Sequence, residues 1–219
     1  MRQMKTQKPS FEFEKKYWGN HIDYVIGIDE VGRGAFAGPI VAAAVVFSSN
    51  IKIGALAEIN DSKLLNFTQR AKLAKLIKEY ALFWAVEQID IAYINKYGIG
   101  KANSAVFRKV LKKLLKNIKS SNYSILIDGF HRKYLPGGLS KQQGIVKGDQ
   151  KSLSIAAASI LAKVYRDNLM KKESKLFPNY KFAKNKGYGT KEHRAAIINF
   201  GTTQIHRSSY ITTWQNNTT

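Results

Sequence analysis

The stretch from Tyr24 to Phe47 constrains this chain more than any other. Tyr24-Val25-Ile26-Gly27-Ile28 is an apolar, β-branched run that suits a buried strand, yet it meets two adjacent acids, Asp29 and Glu30, where such a strand should still be hydrophobic. Two neighbouring carboxylates lose hydration and repel each other on burial, so the pair either sits at the open end of the strand or holds metal. Gly32 and Gly34 flank Arg33, a composition that lets backbone N–H groups approach an anion while a guanidinium grips it from the side. Gly38-Pro39 then turns the chain, and Ile40 to Phe47 reads as a returning strand. The stretch is expected to be a strand, a polar hairpin tip carrying the two acids, and a second strand. Gly32-Arg33-Gly34-Ala35-Phe36-Ala37 also fits the dinucleotide fingerprint, but that fingerprint must open a helix, and here Gly38-Pro39 and a valine-rich run follow. A plain glycine-rich hairpin with solvated acids is the bland alternative, and the rest of the chain weighs against it.

Strongly basic composition points to the partner. Thirty-six Lys and Arg against fifteen Asp and Glu leave a net charge of +21 over 219 residues, which favours a polyanion through counterion release. No apolar run approaches the roughly 20 residues that span a bilayer. Met1 to Lys16 lacks the apolar core and cleavage site of a secretory signal. With no cysteine, thiolate zinc sites are excluded, and a reducing cytoplasm is the expected compartment.

Further along, Ile51 to Asn60 is expected to be a loop or short helix, and Thr68 to cap a helix running through Tyr80. Leu82 to Ile89 reads as a strand. Ile99 to Lys119 is an amphipathic helix with Ala102, Ala105, Val106, Val110, Leu114 and Ile118 on one face. Its cations, Arg108, Lys109, Lys112, Lys113 and Lys116, form either a solvated face or a phosphate-contacting one. Ser124 to Gly129 repeats the opening design, a short apolar strand ending in Asp128, and Gly144 to Asp149 is read as a third such segment. Ser152 to Lys172 is a long helix whose small residues, Ala156 to Ala158, Ser159 and Ala162, suit close packing on a sheet. Gly187 to Thr190 makes a turn, Lys191 to Phe200 a short helix, and residues 201–219 a polar, looser end that is mobile beyond Trp214.

Strands alternating with helices imply an α/β sheet, which places functional groups at the carboxyl ends of parallel strands. If the strands of Asp29 and Asp128 are neighbours, roughly 4.8 Å apart, their carboxylates suit divalent cations about 4 Å from each other. Glu30 and Asp149 complete the shell. Hard oxygen donors select Mg²⁺ or Mn²⁺ over zinc, and no H-E-x-x-H is present. Such a site in a basic protein points to phosphodiester cleavage. A non-catalytic nucleic-acid-binding protein would explain the charge but not three acid-terminated apolar segments.

Asp29 to Gly34, Asp61-Ser62-Lys63, Ile127-Asp128-Gly129, Lys147-Gly148-Asp149, Ala156 to Val164 with Arg166-Asp167, and Gly187 to Thr190 together resemble the successive motifs of bacterial ribonuclease HII, in order, over residues 24–210. The resemblance implies a ribonuclease H-like α/β fold, a mixed five-stranded sheet flanked by helices, with a small helical C-terminal extension. It implies a basic extension over 1–22, a catalytic domain over 23–175, and a C-terminal extension and tail over 176–219. The implied reaction is hydrolysis of RNA in RNA/DNA hybrids and cutting on the 5′ side of single ribonucleotides in duplex DNA, by a protein expected to be a monomer. Asp29, Glu30, Asp128 and Asp149 become the catalytic, metal-binding acids, with Asp167 a supporting acid. Gly32, Arg33 and Gly34 would hold the ribonucleotide, Tyr188 would pack on the next deoxyribose, and Ser62, Lys63, Lys147 and Arg207 would contact substrate. A ribonuclease H-fold nuclease acting on DNA is the remaining alternative. Ala35-Phe36, Leu64 and Ser209-Tyr210 depart from the family pattern without touching a proposed ligand.

Overall fold

The computed structural model describes residues 8–52, 54–60, 62 and 65–217. In chain order the elements are α1 (Glu12–Gly19), β1 (Tyr24–Val31), β2 (Ile40–Val46), α2 (Phe67–Tyr80), β3 (Phe83–Ile89), α3 (Ile91–Leu115), β4 (Tyr123–Asp128), β5 (Gln142–Ile145), α4 (Leu153–Leu176), α5 (Phe182–Asn185), α6 (Lys191–Phe200) and α7 (Ser208–Asn216). The strands form one mixed sheet in the order β3-β2-β1-β4-β5. β1 runs antiparallel to β2 and parallel to β4, so it joins the hairpin half of the sheet to the parallel half.

Every residue of β2 is buried because the sheet is covered on both faces. Alternation along the strand divides its side chains. Ile40, Ala42, Ala44 and Val46 join Ile26 and Ile28 against Val106, Val110 and Leu114 of α3. Val41, Ala43 and Val45 face the other way, onto Leu73 and Ile77 of α2 and the alanines of α4. The small face read for α4 lets that helix come very close: a Cβ on Gly27 would stand 2.2 Å from the backbone carbon of Ser154. A third cluster, with Met170, Tyr180, Phe182, Ile197, Ile205 and Ile211, packs the C-terminal helices beneath Ala37 in the turn after β1. At the other end of the chain, Glu14 of α1 is buried and accepts hydrogen bonds from Ser152 Oγ (2.6 Å), Ser154 N (2.9 Å) and Ser154 Oγ at the start of α4. No helix among the described residues is long and apolar enough to cross a membrane.

Several expectations are corrected. Asp29 and Glu30 lie within β1, paired with Ala43 and Ala42, not at a hairpin tip. Asn66, not Thr68, caps α2, because its side chain and that of Gln69 satisfy each other's backbone N–H groups in a capping box. α3 begins at Ile91 under an Asp90 cap and bends at Gly98 (φ 80°, ψ 161°), eight residues before Val106 of the stripe read from sequence. β5 ends at Ile145, so the third acid does not close a strand: Lys147 takes a left-handed turn (φ 56°), and Asp149 sits in the 3₁₀ turn Gly148–Gln150. The looser end contains α7, held by Ile211 and Trp214.

Candidate active site

Pairing of Ile28 with Ile127 in parallel register makes Asp29 and Asp128 the next neighbours across β1 and β4. Both leave the sheet on the α4 side, where Ser159 offers Asp29 a hydrogen bond. Glu30, one residue on, points to the other face and accepts from Asn103 Nδ2 of α3 at 3.2 Å. The adjacent acids therefore diverge around the strand end. They still share one cleft of about 440 Å³ with Asp128, Ser62, Lys163 and Tyr188.

Burial raises the pKa of Asp29 well above the ordinary carboxylate value, and the charges of Asp128, Glu30 and Asp149 add to it. Glu30 is raised too, by burial first, although the Arg132 and Arg33 guanidinium groups pull against it. Asp128 Oδ1 accepts from Gly148 N at 2.7 Å, which ties β4 to the turn that carries the buried Asp149. Among the described residues, no three His, Cys, Asp or Glu side chains already close around a common point as ligands of one ion. The cluster nevertheless suits a hard divalent cation, since it offers only carboxylate oxygens and suffers like-charge repulsion that a cation relieves.

Asp167 stands behind this cleft. It is buried, with Lys163 Nζ at 2.6 Å and Arg70 Nη2 at 3.6 Å, so it holds two cations that line the site. Ser62 is buried against Ser159, with 3.0 Å between the hydroxyls. Asp61 and Lys63 lie outside the described residues. Lys147 is exposed on the turn before Asp149.

Gly32 is buried with φ 90°, while Arg33 and Gly34 are exposed. Two buried arginines lock this loop from below. Arg166 donates from Nε to Pro39 O (3.0 Å), from Nη2 to Ala37 O (2.9 Å) and from Nη1 to Lys186 O (2.8 Å), and its guanidinium lies 5.5 Å from the centre of the Tyr188 ring. Arg207 donates from Nε and Nη2 to Gly38 O and from Nη1 to Arg33 O. Its charge thus faces backbone carbonyls inside the protein, and the expected substrate contact is replaced by a hold on the loop. Phe36 N and Ala37 N both donate to Gly187 O, so the glycine loop and the Tyr188 turn form one body. Sequence reading missed Asn103, Arg132 and Arg70, because isolated polar residues on basic helices and loops look like solvated surface, and it held Lys163 only within a motif. Arg166 was seen only as part of a motif.

A 3-2-1-4-5 mixed sheet bearing carboxylates near the carboxyl ends of its two central parallel strands defines the ribonuclease H-like fold. The same fold is found in the structure of the PCNA:RNase HII complex from Archaeoglobus fulgidus (TM-score 0.68, 23% identity, covering 86% of this chain and 94% of that one). It is found also in Bst-RNase HIII in complex with Mn²⁺ (TM-score 0.64, 23% identity, covering 82% of this chain and 63% of that one). The family model described as Ribonuclease HII matches residues 26–213. A ribonuclease HII of Caldanaerobacter subterraneus subsp. tengcongensis is 44% identical over 199 residues, 91% of this chain and 78% of the relative. The chain belongs to the ribonuclease HII family and is a ribonuclease, a hydrolase acting on nucleic acid.

Proposed function

We propose that this ribonuclease hydrolyses the RNA strand of RNA/DNA hybrids and cuts duplex DNA on the 5′ side of a single embedded ribonucleotide, leaving 3′-hydroxyl and 5′-phosphate ends. Asp29, Glu30, Asp128 and Asp149 would hold two divalent cations, Mg²⁺ or Mn²⁺, which when bound supply Lewis-acid charge at the scissile phosphate. Support for a metal comes from the oxygen-only donor set, from the burial and then the neighbouring acid charges that raise the pKa of Asp29, and from the Mn²⁺ in the Bst-RNase HIII structure.

The chain's own residues then select and orient. Arg33 and Gly34 present backbone and guanidinium to the ribonucleotide from a loop that Arg166 and Arg207 keep rigid. Tyr188 sits in the same body and lines the acid cleft, so a ring fitted to a deoxyribose stands at a fixed position beside the sugar whose 2′-hydroxyl is read. Lys163 and Arg70, steadied by Asp167, offer positive charge to a phosphate in the cleft.

One observation carries this reading: Asp29 and Asp128 stand side by side near the carboxyl ends of adjacent parallel strands and face a single cleft with Tyr188. Asp128→Asn removes a carboxylate and keeps the basic surface, so cleavage of a duplex with one ribonucleotide should vanish while binding, read by fluorescence anisotropy, changes less than severalfold. Unchanged turnover overturns the assignment. Cleavage of an all-DNA duplex by the wild-type protein would shift the substrate to DNA, and no cleavage with or without EDTA would leave only a binding protein.

A further inference from the structure

The cations of α3 have two fates. Lys109 and Lys113 reach back to β3, where their Nζ atoms stand 3.0 and 2.7 Å from the carboxylate oxygens of Glu87. That pairing spends their charge inside the protein. Lys101, Arg108 and Lys112, with Lys116 at the C-cap, form a separate row at helical spacing, and none of them pairs with an acid among the described residues.

This free row is one wall of a groove. The other wall is the loop after β4, anchored by the buried Leu135 in the α3 core and by the Arg132 guanidinium 5.3 Å from the centre of the Phe107 ring. A cavity of about 500 Å³ lies between Lys101 and Arg108 on the helix and Arg132, Lys133 and Tyr134 on the loop. A second, of about 630 Å³, continues it past Lys112 and Lys116 and shares Arg108 and Tyr134 with the first. No acid lines either one. Arg132 Nε is buried without a hydrogen-bond partner, and Tyr134 is 82% exposed on a left-handed backbone (φ 62°). At ~1.5 Å per residue, Lys101 to Lys116 extends about 22 Å, the rise of about six base pairs at 3.4 Å each.

The groove and the acid cleft are linked through Glu30. Arg132 of the groove's loop wall acts electrostatically on Glu30, and Asn103 of α3 donates to it.

We propose that the groove between α3 and the 130–136 loop is a second nucleic-acid subsite, which holds the sugar-phosphate backbone of the substrate duplex over about six base pairs to one side of the cleaved bond. The subsite rests on the nuclease reading above. Four unpaired cations in a row follow a phosphate chain as an acidic peptide, with its irregular charge spacing, does not.

Two variants with equal charge loss test it, Arg108→Ala/Lys112→Ala in the groove and Lys109→Ala/Lys113→Ala on the Glu87 face. With a centrally placed ribonucleotide in a long duplex, the groove variant should raise KM about tenfold at constant kcat. The slope of log affinity against log salt should flatten by about 1.8, two contacts at ~0.9 each. The Glu87-face variant should stay within about twofold of wild type. Shortening the duplex on one side only should abolish the difference between groove variant and wild type. Wild-type KM and salt slope in the groove variant, or equal losses in both variants, overturn the subsite while leaving the nuclease intact. A wild-type protein that cuts neither duplex refutes the nuclease reading itself.

Discussion

Gly32 has no space for a side chain. Its φ of 90° strains any L-residue, and a Cβ there would stand 2.2 Å from Arg166 Nε, a buried atom bonded to Pro39 O. Gly32→Ala must therefore displace either the loop or the arginine beneath it. We expect the variant to retain EDTA-sensitive cleavage of long hybrids but to cut a single embedded ribonucleotide at least tenfold more slowly, checked by initial rates on the two substrates. Equal losses on both would remove the recognition role. The glycines themselves were legible, since Gly-Arg-Gly after an acid-ended strand already demands close backbone approach. The hold that Arg166 and Arg207 keep on the loop was not, because nothing in a run of lysines and alanines, or in a polar tail, marks an arginine whose partners are carbonyls distant in the chain. Asp128 was readable as the end of an apolar run, whereas Asp149 looked like a strand end and is in a turn: Val146, which completes the apolar pattern, is exposed.

Among the elements, β1 and α4 make the contact on which the geometry of the acids depends. Gly27 lies two residues before Asp29, and a Cβ on it would meet backbone atoms of Ser154 and Ile155 at 2.2 and 2.5 Å. Backbone in a helix cannot step aside as a side chain can. Gly27→Ala is expected to destabilise the fold by about 1–3 kcal/mol, the range for overpacking a well-filled core, seen as a lower urea midpoint at unchanged slope. A midpoint equal to wild type would show that the helix moves freely from the sheet. The strands and α4 were legible because both carry an unbroken pattern, β-branched runs in one and small residues in the other. α1, the first part of α3 and α7 were not. Each has only a few apolar anchors, such as Phe11 before α1 and Ile211 in α7, and gains its helical order from docking on surfaces that sequence periodicity does not reveal.

For the molecule as a whole, acid should loosen the C-terminal helices before it reaches the sheet. Thr203 N donates to His206 Nδ1 at 2.8 Å, leaving His206 Nε2–H to donate to His193 Nε2 at 3.1 Å, and His193 Nδ1–H to donate to Tyr188 O at 2.9 Å. Both acceptor nitrogens are occupied, so neither ring can take another proton without breaking this chain. Burial and the His193 charge lower the pKa of His206 from 6.5 to about 4, and burial lowers that of His193. Between those values the unfolded chain binds a proton that the folded one refuses, so stability is present above pH 6.5 and is lost as pH falls toward 4. The thermal midpoint should drop across that window, and His206→Asn should flatten the drop; a wild-type slope in the variant would sink the assignment. The order of the sheet has one more consequence. Asp29 and Asp128 become neighbours only when β4 adds alongside a strand made a hundred residues earlier, after the local hairpin has had every chance to form. On the proposed mechanism, a half-made chain emerging from the ribosome would lack that pair of acids, and its capacity to cut would arrive only with completion of its architecture.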